Sequence, residues 1–115
     1  MEHLPDTLES LFDAERRRDW KRLRMLLHPD VIWTVIDREE SRVVGAQAYI
    51  DRLMAAYRDG GASDFVVSHV RRGSEGLVAT ELIDEEGRIS VDVFKIDESG
   101  VLVQEWEHLL GRASG

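Results

Sequence analysis

The second half of the chain constrains the fold most tightly. Four stretches rich in β-branched residues, Phe65 to Arg71, Leu77 to Ile83, Arg88 to Ile96 and Val101 to Leu110, are separated by three short polar turns. These are Gly73-Ser74-Glu75-Gly76, Asp84-Glu85-Glu86-Gly87 and Asp97-Glu98-Ser99-Gly100. Turns of this length that end in glycine are hairpin connectors. Four successive strands should therefore pair antiparallel with their sequence neighbours.

The first half has helical periodicity. Leu8, Leu11, Phe12 and Glu15 fall on one helical face, behind Asp6 and Glu9 at capping-box spacing. Glu15-Arg16-Arg17-Arg18 reads as the solvated end of that helix, its cations suited to a helix C-terminus. Asp19 can cap a short second helix with a stripe of Trp20, Leu23 and Leu27, widened by Met25 and Leu26 and stopped by Pro29. Val31 to Ile36 reads as a strand, and Asp37 to Arg42 as a turn leading to a short strand at Arg42-Val43-Val44. Gly45 opens a third helix. Ala46, Tyr49, Ile50, Leu53, Met54 and Tyr57 repeat along it at helical spacing, and Gly60-Gly61 ends it. Helices followed by a strand meander make an α+β pattern. One sheet face would be covered by the helices, the other left to water or a partner chain.

Composition narrows the function. With 23 acidic and 15 basic residues the net charge is -8, which argues against binding nucleic acid phosphates or an anionic membrane surface. The absence of cysteine excludes disulfides, thiolate nucleophiles and cysteine–zinc sites. The N-terminus has no basic stretch followed by an apolar run, and no run is long enough to span a bilayer, so a cytoplasmic location is expected. A length of 115 residues fits a single domain, residues 1–115, with little core to spare. A large cavity inside it would have to be offset by a second packed surface, such as a homodimer interface.

The order helix–helix–strand–helix–four strands resembles the NTF2-like superfamily, and its SnoaL-like members in particular. Asp19-Trp20 through Leu26-Leu27-His28-Pro29-Asp30-Val31 is similar to the family's opening of helix, apolar pair, acidic turn and strand. Asp92-Val93-Phe94-Lys95-Ile96, the acidic turn with Gly100, and Val103-Gln104-Glu105-Trp106-Glu107 resemble its last two strands. SnoaL-like members commonly read Val-Glu-His-Trp-Asp there, and Gln104, Glu105, Trp106 and Glu107 stand for the last four. The resemblance implies an NTF2-like cone: three N-terminal helices packed on a curved, mainly antiparallel sheet around one pocket. It leaves the activity open, since the superfamily holds isomerases, dehydratases, epoxide hydrolases, cyclases and non-catalytic binding modules. In ketosteroid isomerase the base is an Asp at the end of the first strand, and a helix Tyr and a protonated Asp form the oxyanion hole. Val35 and Leu11 stand where the base and the Tyr belong, and only Asp92 matches, so that activity is not implied. SnoaL-type cyclases use an Asp on the final strand, and Glu107 takes its place.

Strand alternation supplies the candidate residues. Asp92 shares a face with Ser90, Phe94 and Ile96, which should be the inward one. There burial would raise its pKa and suit it to acid–base work, or it could be a structural Asp bonded to a neighbouring element. Glu105 and Glu107 share a face with Val103 and Leu109, while Trp106 and His108 take the other, expected at the homodimer interface. Inward carboxylates beside Asp92 would repel one another and retain a proton. Alternatively they sit at a solvated edge, paired with Arg71 or Arg88. Trp33, in step with Val35 and Asp37, either stacks on a ligand or fills core. Tyr49 could reach the pocket, whereas Tyr57 reads as surface packing. His69, at a strand centre, could pair with an inward carboxylate. Asp92 and Glu107 are thus the candidate catalytic pair, and Trp33, Tyr49, Glu105, His69, Leu11 and Met54 the candidate pocket residues.

The histidines are not at ligand spacing and the acidic turns are too short for a calcium loop, so neither metal nor cofactor is expected. Two functions remain open. One is cofactor-independent isomerase, cyclase, dehydratase or hydrolase chemistry on a small apolar or carbonyl compound. The other is a non-catalytic small-ligand-binding or dimerisation module.

Overall fold

The computed structural model describes residues 3–59 and 64–113. Helix α1 (Asp6–Arg16) buries Leu8, Leu11, Phe12 and Ala14. Its N-cap is Pro5, and no side chain caps it, so the expected capping box does not form. The fixed φ of proline takes the boundary position. Asp6 and Glu9 then lie inside the first turn, where they favour the helix dipole. Helix α2 (Trp20–Met25) is capped as expected, with the Arg22 N–H donating to Asp19 Oδ1 at 3.2 Å.

Strand β1 (Leu27–Ile36) begins earlier than its sequence suggests. Leu27 is already in it, and Pro29 lies within the strand instead of ending a helix. The reason is that residues 28–31 fall where the pairing of β1 with the last strand slips, between Leu27 and Ile32. No ladder hydrogen bond is required of the proline nitrogen there. Strand β2 (Glu40–Val44) folds back antiparallel on β1, and α3 (Ala46–Arg58) follows Gly45. The expected helix stop at Gly60-Gly61 lies outside the described residues.

The four remaining strands are β3 (Phe65–Arg72), β4 (Leu77–Asp84), β5 (Arg88–Ile96) and β6 (Leu102–Arg112). They pair antiparallel in succession, within a sheet of order β2-β1-β6-β5-β4-β3. The join between β1 and β6 is parallel and sets Trp33 beside Glu105 and Val35 beside Glu107. The result is an α+β fold of three helices on a curved, mostly antiparallel six-stranded sheet. The core lies between them. Phe12 of α1 meets Phe65 and Phe94 edge-on, at centroid distances of 5.3 and 5.7 Å. No helix of the described residues is long and apolar enough to cross a membrane.

Register slips in β3 and at the start of β6 redirect side chains. In β3 the register slips between Val67 and His69, leaving Ser68 as an extra residue. An extra residue reverses the alternation beyond it. Val70 is therefore buried and His69 exposed, where an unbroken strand would reverse them. In β6, Leu102 pairs with Ile96 and Gln104 with Lys95, which leaves Val103 extra. Leu102 is thus the fully buried residue leading to Glu105, where simple alternation selects Val103.

The hairpin between β3 and β4 depends on Gly76, which has φ +79. A Cβ there would collide with the Ile96 carbonyl oxygen, whereas Gly87, at φ +78, has open space around it. Gly87→Ala should cost about 1 kcal/mol, the price of a left-handed backbone alone. Gly76→Ala should cost roughly 3 kcal/mol or more, because backbone must move as well. Urea denaturation of both variants checks this, and equal losses would contradict the close approach.

Candidate functional site

The register of β5 against β6 sets Asp92 opposite Glu107 and Phe94 opposite Glu105. All these side chains point toward the helices, and Asp92 and Glu105 are 2% and 4% exposed. Asp92, Glu105 and Glu107 each bring a carboxylate oxygen within 4.8 Å of the others. No Lys or Arg among the described residues forms an ion pair with any of the three. Their partners are neutral. Ser90 Oγ donates to Asp92 Oδ1 at 2.7 Å, the Tyr49 hydroxyl to Glu105 Oε1 at 2.5 Å, and Trp33 Nε1 to Glu107 Oε1 at 3.2 Å.

Such a cluster cannot be fully ionised. Burial raises Asp92 to about 6, against the hydrogen bonds from Ser90 and Glu105. Burial, followed by the neighbouring charge of Asp92, raises Glu107 to about 8. The same two causes push Glu105 well above the usual carboxylate range. Tyr49 is itself pushed up by burial and by Glu105, so its hydroxyl remains a donor. Near neutral pH the cluster therefore offers a carboxylate and a carboxylic acid side by side.

A cavity of about 600 Å³ opens in front of the three acids. Trp33, Tyr49, Phe12, Phe65 and Phe94 contribute to its wall. Glu15, Asp37 and Asp84 line it as well, and the sequence reads Glu15 as part of a solvated helix end. Glu15 accepts a hydrogen bond from the Tyr57 hydroxyl at 2.6 Å, and burial raises its carboxyl. Tyr57 accordingly lines the cavity instead of serving as surface packing. The signal was present, since Glu15 shares the helical face of Leu8, Leu11 and Phe12. Ser90 and Arg52 are further lining residues that the sequence did not single out, and Asp37 also contributes to the wall.

The other candidates divide. Trp33, Tyr49, Glu105, Asp92 and Glu107 all meet in the cavity. Glu105 and Glu107 do so without Arg71 or Arg88; Arg88 is held by Asp84 at 2.7 Å and Glu86 at 3.3 Å. Leu11 is core, 1% exposed and away from the cavity wall. Met54 is 38% exposed, because the helical turn that directs Tyr49 and Leu53 inward carries it to the other side of α3. His69, turned outward by the Ser68 bulge, pairs with Glu81 at 3.2 Å. No histidine joins the acids, but Asp92, Glu105 and Glu107 are oxygen donors of the kind hard divalent cations take. Their sequence separation across two strands hid that possibility.

No family model matches this chain, and no curated protein matches it. Solved structures do. An NTF-2-like protein of unknown function from Burkholderia xenovorans LB400 aligns over 96% of this chain and 84% of its own, with TM-score 0.74 and 18% identity. A SnoaL-like protein of unknown function from Burkholderia thailandensis E264 aligns over 90% and 92%, with TM-score 0.76 and 17% identity. An LEH-like epoxide hydrolase from M. tuberculosis aligns over 90% and 79%, with TM-score 0.67 and 16% identity. The chain has the NTF2-like, SnoaL-like fold.

The raised carboxyls make stability fall with pH. The folded state holds protons that the unfolded chain releases above the ordinary carboxylate range. The associated stability is present below that range and lost as pH climbs through about 6 and then about 8. Asp13, held low by Arg22 and Arg17, and Asp97, held low by Ser99, act oppositely, their contribution being lost in acid. The melting temperature should peak near pH ~5 and fall by roughly 5 °C or more toward pH ~9. Glu107→Gln should flatten that fall. A melting temperature that holds or rises over this interval would contradict a buried, proton-holding cluster.

Proposed function

We propose that this chain is a cofactor-independent enzyme that binds a small, largely apolar molecule between helices and sheet and acts on it by proton transfer. The observation that carries the reading is the meeting of Asp92, Glu105 and Glu107 at one cavity wall, each accepting a hydrogen bond from a neutral donor. Asp92, with the lower pKa, is the base. It takes a proton from a carbon beside a carbonyl, or from a water that attacks a strained ring. Glu107, protonated up to about 8, is the acid that returns a proton to the oxygen gaining charge. Glu105, kept in place by Tyr49, maintains the proton count of the cluster. The apolar wall excludes water and strengthens each of these interactions. The fold is shared with an epoxide hydrolase, whose reaction class falls within this chemistry.

Turnover, assayed on a panel of small ketones and epoxides, should rise with pH through about 6 and fall through about 8. Asp92→Asn and Glu107→Gln should each lower kcat by roughly 10²–10⁴. Undiminished turnover in Asp92→Asn would remove it from the base role. Saturable ligand binding with no turnover of any panel member would leave a binding module instead.

The reading extends to a homodimer through the outer sheet face, where Trp106 lies in register with Thr34 on one side and Val93 on the other. A second copy covering that face would offset the packing lost to the cavity. Sedimentation should give a dimer, and Trp106→Arg a monomer. A wild-type monomer at micromolar concentration would end this part of the reading.

A further inference from the structure

Among the described residues the cavity wall carries a guanidinium with no direct carboxylate ion pair. Arg52, on α3, is partly buried and lines the cavity beside the three acids. Its two terminal nitrogens both reach the Ser41 hydroxyl oxygen on β2, at 3.4 and 3.5 Å. Among the described residues no Asp or Glu oxygen forms an ion pair with it. Arg88, also in the wall, is by contrast held by Asp84 and Glu86. Its charge reaches Glu107 through space without a direct ion pair, so the guanidinium fork keeps N–H donors for a ligand.

Trp33 joins this cation to the acids. Its ring face takes the Arg52 guanidinium at 5.0 Å from the centroid, and its ring nitrogen donates to Glu107 at 3.2 Å. A molecule whose charged end meets Arg52 therefore crosses one indole before its next polar atom reaches the acid cluster. A planar carboxylate suits the site, since it accepts two parallel N–H bonds from one guanidinium fork. A phosphate dianion would bring a second negative charge beside Asp92, with Arg52 alone to offset it.

We propose that Arg52 anchors the carboxylate of an amphipathic acid, whose apolar body lies along Trp33 and whose reacting group faces Asp92 and Glu107. This deepens the enzymatic reading above and rests on it: the substrate is a small keto, hydroxy or epoxy acid rather than a neutral lipid. Near neutral pH Glu105 and Glu107 hold their protons, so of the three clustered acids Asp92 alone opposes an incoming anion.

The test is calorimetric titration of the whole chain with phenylacetate, phenylpropanoate and phenylbutanoate, each beside its primary amide and its equal-length amine. At least one acid should bind roughly tenfold or more tightly than its amide. Arg52→Gln should abolish that preference, and Arg52→Lys should restore part of it without the bidentate geometry. Circular dichroism and melting temperature show that the variants fold. Equal binding of acid and amide by the wild type, or an acid preference that survives Arg52→Gln, overturns the anchor but leaves the cavity reading intact. Preference for the amine overturns it too, by showing that the acid cluster sets the charge of the ligand. Binding of none of the probes overturns both the anchor and the ligand-binding cavity.

Discussion

Two buried carboxyls and a half-buried third, none of them ion-paired to a Lys or Arg among the described residues, are the constraint on which the rest of this structure depends. Ionised carboxylates in a dry interior are costly, and two side by side are costlier still. The arrangement survives because protons remain on the acids and because Ser90, Tyr49 and Trp33 each aim a donor at one of them. Each donor comes from a different element: β5 itself, α3 and β1. Both the helix layer and the N-terminal strand are therefore tied to the acid cluster. A domain of this size has little stability in reserve, so a site of this kind persists only where its neighbours hold it in place.

The fold supplies that fixing through one unusual join. Most of the sheet is a meander in which each strand pairs with its successor, but β1 lies parallel to β6. Without that pairing Trp33 would not reach Glu107. The wall of the cavity would then lack both the indole and the arginine that stacks on it. Helix α1 closes the opposite side through Phe12 and Glu15, the latter held by Tyr57 of α3. Acids thus face the cavity from helix and sheet, and aromatic rings fill the intervals between them.

Much of the site was legible because a strand alternates with period two. Asp92 had to share a face with Phe94, and Glu105 with Glu107, so the inward direction of one apolar residue fixed the acids. The same rule misplaced His69 and Val103, since a single extra residue in a strand reverses everything beyond it. Helical spacing likewise identified Tyr49 while admitting Met54, which lies at the margin of the apolar stripe. Glu15 is harder to read, because its neighbours Arg16, Arg17 and Arg18 mark a solvated helix end while its helical face is that of Leu8, Leu11 and Phe12.

From its sequence alone, this protein was bound to be an α+β domain with a four-strand antiparallel meander, acidic, free of cysteine and carrying carboxylates on the inner face of two strands. Those properties are local: turn glycines, side-chain period and residue chemistry act over a few positions. Tertiary structure alone decided that β1 runs beside β6, that bulges redirect His69 and Val103, that Tyr49 bonds to Glu105, and that Arg52 stacks on Trp33 beside the acids. Each of these joins residues distant in the chain, and their distances depend on how a twisted sheet closes under its helices.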